Sequence, residues 1–236
     1  MNNFFFGIYP YIALSIMIVG SIARYDRDPF TWKSSSSQLL RRKQLMVGSI
    51  LFHIGVLFIF FGHFFGLLVP HQVYEAIGIH AEAKQLLAAI AGGIAGIVAI
   101  IGALMLAHRR LTEPRIRDTS SFWDITILLM LVVQLALGLI SVPYSIATAE
   151  HGSVINFMNW AQGVFTFQSG NAAHIADEPL IYKLHIVLGL TIFLVFPFTR
   201  LVHILSGFAA PVRYLLTRTG YQIVRSRRQA PRHPAE

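Results

Sequence analysis

The sequence predicts an all-α integral membrane bundle of five transmembrane helices, with the N-terminus outside and the C-terminus cytoplasmic. Three observations lead there. Of 236 residues, 55% are hydrophobic and only 13% charged, against about a quarter charged in soluble domains. The mean hydropathy is +0.59. The charges are also bunched, leaving apolar runs of the roughly 20 residues that a bilayer-spanning helix needs.

Residues 2–23 carry no charge and stop at Arg24. They have neither the basic start nor the small-residue cleavage site of a signal peptide, so they read as the first span. The second runs from about Met46 to Val69 and the third from about Leu86 to Ala107. The fourth covers about Ile125 to Val142. The fifth covers about Leu184 to Ile204, with Pro197 near its inner end. Together they form a single membrane domain over residues 1–236, which includes a basic tail at 211–236.

Charge sets the orientation. Of 19 Lys and Arg residues, all but Lys84 and Lys183 fall in the first connection, in the connection between spans three and four, or after span five. By the positive-inside rule those three regions are cytoplasmic. The net charge of +8 is thereby topological, and nucleic acid is not an expected partner. The segment 154–167 is apolar but short and holds Asn156, Asn159 and Gln162. A sixth span there would put the Arg-rich tail outside, so it is expected to be an amphipathic outer helix or a re-entrant one.

The chain has no cysteine, which excludes disulfides, thiolate metal sites and cysteine-ligated clusters. Ten histidines remain. His71, His80, His108, His151, His174 and His233 lie in loops, span ends or the tail, where a solvated role is the default. His53, His63, His185 and His203 lie inside apolar spans, where an ionisable side chain is costly and marks a functional site. Spans two and five are antiparallel, so His53 faces His203 near the inner side and His63 faces His185 near the outer side. Two imidazoles at one depth from two helices suit the axial ligands of a haem iron. Proton relay and helix-bridging hydrogen bonds are the alternatives. Along the helix axes His53 and His63 are roughly 15 Å apart and His185 and His203 roughly 27 Å. Tilt, side-chain direction and a kink at Pro197 must absorb that difference.

Gly55, Gly62, Gly66 and Gly189 would let a flat macrocycle approach spans two and five. Gly62-x-x-x-Gly66 and Gly92-x-x-x-Gly96 also fit close helix packing. Packing is the expectation for the span-three glycines, whereas Gly62 and Gly66 stay open to either use. No phosphate loop or zinc pattern competes.

At these residues the sequence resembles the gamma subunit of respiratory nitrate reductase, a membrane cytochrome b. The matching stretches are Arg24-Tyr25-Asp26, Thr31-Trp32, Ser36-Ser37-Gln38, Leu51-Phe52-His53-Ile54-Gly55 and Gly62-His63-Phe64-Phe65-Gly66. They continue through Pro70-His71, Tyr74-Glu75-Ala76, Trp160-Ala161-Gln162, Val164 to Phe167, Leu184 to Gly189 and Phe196 to His203. The likeness fades past Arg213. It implies two haem b groups, the inner on His53 and His203 and the outer on His63 and His185. It implies quinol as substrate near the outer face, with Lys84 in the quinol site and Gly62 and Gly66 beside it. Its expected partners are a cytoplasmic iron–sulfur subunit and a molybdenum-containing catalytic subunit that reduces nitrate, with lipid and quinone around the spans. Lys84 also fits an interfacial anchor whose ammonium snorkels. Two other functions compete: a dihaem subunit of another quinone-linked reductase, such as those of sulfite or heterodisulfide metabolism, and a haem-free transporter or anchor.

Overall fold

A computed structural model describes residues 1–27 and 40–206. The Thr31-Trp32 and Ser36-Ser37-Gln38 stretches, His233 and the basic tail at 211–236 lie outside them. Eight α-helices follow in order: α1 (Tyr9–Arg27, entered through a π-turn at Phe4–Ile8), α2 (Arg42–Leu68), α3 (His71–Ala76), α4 (Ala81–Thr112), α5 (Pro114–Asp118), α6 (Phe122–Ala147), α7 (Val154–Phe165) and α8 (Leu180–Val195). The described residues contain no strand. Five segments are long and apolar enough to cross a membrane: Phe4–Arg27, Arg42–Leu68, Ala81–Thr112, Phe122–Ala147 and Leu180–Phe198. The protein is a multi-pass membrane protein.

Local chemistry sets the ends. Val69 is extended ahead of Pro70, and Glu113 is extended ahead of Pro114, because a proline disfavours helical backbone in the residue before it. Helix α6 opens on a capping box: Ser121 Oγ accepts from the Asp124 N–H, and the Asp124 carboxylate accepts from the Ser121 N–H. Two of the orphan donors of that first turn are thereby satisfied.

The fifth span departs from the expected continuous helix to Ile204. Helix α8 ends at Val195, and two short 3-10 turns follow, Phe196–Phe198 and Arg200–Val202, hinged on an extended Thr199. Pro197 is the cause, since it has no N–H to give the preceding turn. The kink expected there is a full break.

Helix α2 packs on α4, α4 on α6, α6 on α8, and α8 on α1; α2 and α8 make no extended contact. The α2–α4 seam is the tightest. A Cβ on Gly55 would sit 2.6 Å from the Ala95 carbonyl oxygen, and one on Gly102 would sit 2.7 Å from the Gly48 carbonyl oxygen. With no hydrophobic force between helices in lipid, such close backbone approach is a main source of association. Gly55 is therefore spent on packing against α4 and not on a macrocycle. Of the span-three pair, Gly96 packs under Leu139, while Gly92 has nothing within 4 Å of an added Cβ.

Segment 154–167 is not a span. Its 12-residue helix α7 is tied across one end of the bundle. Trp160 Nε1 donates to the Phe6 carbonyl at 2.9 Å, and Gln162 Nε2 donates to the Leu67 carbonyl at 3.0 Å. The buried Gln85 amide donates to the Ser145 carbonyl and accepts the Val154 N–H. Arginines gather at the opposite end of the bundle.

Candidate functional site

Both histidine pairs lie between α2 and the fifth span, with His185 on α8 and His203 directly after the second 3-10 turn. The ring centres of His53 and His203 are 6.3 Å apart, and those of His63 and His185 are 6.2 Å apart. One pair lies at the arginine-rich end and the other at the end covered by α7.

Three of the four rings are oriented in one way. His53 Nδ1 donates to the Ser49 carbonyl at 2.8 Å, His63 Nδ1 to the Ile59 carbonyl at 2.9 Å, and His203 Nδ1 to the Arg200 carbonyl at 2.6 Å. A ring nitrogen facing a carbonyl carries the proton, so the Nε2 lone pair is left free. This is the usual supporting bond of a metal-binding imidazole, fixing tautomer and ring direction.

His185 is held differently. Gln134, from α6, donates its amide to the His185 carbonyl at 3.1 Å and lies 3.2 Å from His185 Nε2. His185 Nδ1 and Gln134 Oε1 are buried with no hydrogen-bond partner. Gly138, one turn further along α6, gives the ring its place: an added Cβ there would meet His185 Cε1 at 3.1 Å.

Around His53 and His203 lies a cavity of ≈ 510 Å³, also lined by Arg42, Arg109, Arg110, Arg200 and Asp124. Asp124 is flanked by Arg110 and Arg200, each at 3.8 Å. One carboxylate among four guanidinium groups leaves the chamber cationic, suited to an anionic periphery on whatever it holds. No cluster of three or more His, Asp or Glu side chains occurs among the described residues, so a metal held by protein donors here has two imidazoles to use.

Lys84 lies at the other end. It is buried and does not snorkel: Nζ donates to the Gly66 carbonyl at 2.7 Å, points at Met158 Sδ at 2.7 Å and sits 3.8 Å over the Tyr74 ring. An ammonium has three donors, so one remains over among the described residues. Lys84 and Gly66 are thus in direct contact, and Gly62 and Gly66 face open space, with nothing within 4 Å of an added Cβ. Gly189 faces the Gln134 amide. Of the remaining histidines, His71 and His80 border α3 and α4, and His108 lies 3.4 Å from Gln44.

Sequence reasoning missed Gln134, Gly138 and Ser49. Gln134 left a signal, being the one amide in the apolar run 125–142. Gly138 and Ser49 left none that separates them from ordinary small residues of a span.

The family described as nitrate reductase gamma subunit matches residues 2–227. The respiratory nitrate reductase 1 gamma chain of Escherichia coli (strain K12) is 48% identical, over 96% of this chain and 98% of that protein. The nitrate reductase gamma chain of Bacillus subtilis (strain 168) is 40% identical, over 94% of this chain and 96% of that protein. The nitrate reductase-like protein NarX of Mycobacterium tuberculosis (strain CDC 1551 / Oshkosh) is 34% identical over 97% of this chain, which spans 34% of that protein.

Proposed function

The chain belongs to the nitrate reductase gamma subunit family, and we propose that it serves that respiratory oxidoreductase as its quinol-oxidising dihaem cytochrome b. Membership makes it a cell-membrane subunit that works with the other nitrate reductase subunits, with the nitrate-reducing step on another chain. In our reading His53 and His203 hold the inner haem b, and His63 and His185 hold the outer one. Electrons taken from quinol near the outer face go to a cytoplasmic iron–sulfur subunit and on to the molybdenum-containing catalytic subunit.

The spacing of the two pairs carries this reading. Two metal–imidazole bonds of about 2 Å, with roughly 1 Å from each nitrogen to its ring centre, put the rings of a bis-histidine iron about 6 Å apart. Edge-to-face ring packing reaches the same separation, but it does not tie three Nδ1 atoms to carbonyls, and relay partners would be hydrogen-bonded to each other. Here the pairs face each other where neither α8 nor the 3-10 turns after it make extended contact with α2. Three rings have Nε2 free, and the fourth has a buried nitrogen without a partner. The donor set fits. A haem bound there supplies reversible one-electron chemistry.

The chain's own residues supply binding and charge. Arg42, Arg110 and Arg200 suit the carboxylates at a haem edge. Lys84 presents its remaining N–H to a quinol oxygen, and Gly62 and Gly66 leave room for a flat ring. Quinol oxidation releases two electrons and two protons; with oxidation outside and electrons leaving inside, charge is separated across the membrane.

The test is an optical one on the membrane complex. Quinol is expected to raise the sharp reduced α band of b-type haem, two haems per chain, and nitrate is expected to bleach it. Lack of that band, or a band that nitrate leaves unchanged, would overturn the reading. Orientation has its own test. Reporter fusions in the 24–45 connection and after Arg213 should report cytoplasm, and fusions within 143–182 the outside. An outward-facing tail would reverse the electron route.

A further inference from the structure

The break after α8 changes where the backbone acceptors of residues 197 and 199 find donors. In a continuous helix the Pro197 carbonyl would accept from the Leu201 N–H and the Thr199 carbonyl from the His203 N–H. Neither bond forms here. The Leu201 N–H goes to Thr199 Oγ1 at 3.2 Å, and the His203 N–H turns back to the Arg200 and Leu201 carbonyls. The Thr199 carbonyl heads the Arg200–Val202 turn and so receives its Val202 N–H, which leaves the Pro197 carbonyl as the acceptor without a helical donor, a costly state when buried.

Arg24 takes both. From the last turn of α1, its Nη1 donates to the Pro197 carbonyl at 2.7 Å and to the Thr199 carbonyl at 2.8 Å. The approach needs Gly20, one turn back, where an added Cβ would fall 2.7 Å from Pro197 Cγ. Thr199 is 2% exposed and its hydroxyl donates to the Phe196 carbonyl. The turn is thus fixed from both sides. Directly after it, Arg200 offers the carbonyl that orients the His203 ring.

We propose that Arg24 is a positioning residue for the inner histidine pair: it replaces the donor that the Pro197 carbonyl lost, ties that carbonyl to the Thr199 carbonyl at the head of the next turn, and so sets where His203 stands relative to His53. Helix α1 carries no histidine and makes no extended contact with α2; its part in the site is to hold this turn. The inference rests on the proposed dihaem reading. The competing role for Arg24 is that of a cytoplasmic topology anchor, which would touch neither haem selectively.

The test uses the full complex in membranes, with redox titration and low-spin ferric haem spectra. The inner component is identified by its loss in His203→Ala. Arg24→Met keeps the length of the side chain and removes the donors. It is expected to shift the inner component's potential and line shape and to lower its amplitude by about half or more, with the outer component unchanged. Arg24→Lys is expected to recover part of the amplitude. If Arg24→Met does not accumulate, Arg24→Lys and Gly20→Ala are read on the same spectra, where a selective inner shift supports the proposal. An unmoved inner component, or equal loss of both, overturns it. A wild-type complex without two b-type components would sink the dihaem reading instead.

Discussion

Replacing His203 by alanine is expected to take haem content from about two per chain to about one, and His53→Ala is expected to lose that same haem. His63→Ala and His185→Ala are each expected to lose the other. The effect is near total at one site because the proposed dihaem reading gives each iron only two protein donors. The second site is spared because the helices are held elsewhere: α2 by its seam with α4, and α8 by α6 and α1. His185 does touch the α6 seam, through Gln134 and Gly138, but the bond from Gln134 to its backbone carbonyl survives replacement by alanine. Haem counting with redox titration of the four variants measures the outcome. Loss of the same component in the His53 and His185 variants would break the pairing, and with it the assignment of one haem to each end.

Lys84→Ala is expected to slow quinol-dependent haem reduction by about tenfold to a hundredfold, the worth of one charge-assisted hydrogen bond in a dry site. Haem content should be unchanged, because Lys84 touches Gly66, Met158 and Tyr74 and none of the four histidines. Reduction by a small soluble donor should also be unchanged, since such a donor does not use this site. Rapid mixing with quinol under anaerobic conditions separates the two routes. Undiminished quinol reduction would leave Lys84 as a buried tie between α4 and the end of α2. Lys84→Arg is a useful companion, because a planar guanidinium cannot reproduce a compact ammonium between a carbonyl and a sulfur.

The fold was legible because lipid makes it so. Runs without charge, set between arginine clusters, leave little freedom about where the five spans lie, and 12 residues with three amides cannot make a sixth. The pairing of His53 with His203 and of His63 with His185 followed from antiparallel spans alone. The break after Val195 was legible only as a kink, because Pro197 announces a lost hydrogen bond but not the direction the chain then takes. Arg24 read as the charge that ends a span; its second use depends on carbonyls exposed 173 and 175 residues later. Gln134 and Gly138 were hidden for the same reason, since their meaning lies in a ring carried by another helix. Gly55 was assigned to the wrong neighbour because sequence shows that a residue is small but not which side of the helix it faces.

Two glycines on α2, seven residues apart, now separate two kinds of experiment. A methyl group at Gly55 would collide with the backbone of α4, whereas one at Gly62 would meet nothing within 4 Å among the described residues. Alanine at Gly55 therefore reports on whether the chain folds and inserts. Alanine at Gly62 leaves the polypeptide undisturbed, so any loss it causes measures how closely a foreign molecule comes to that helix. The same small substitution serves as a strain gauge at one position and as a proximity probe at the other.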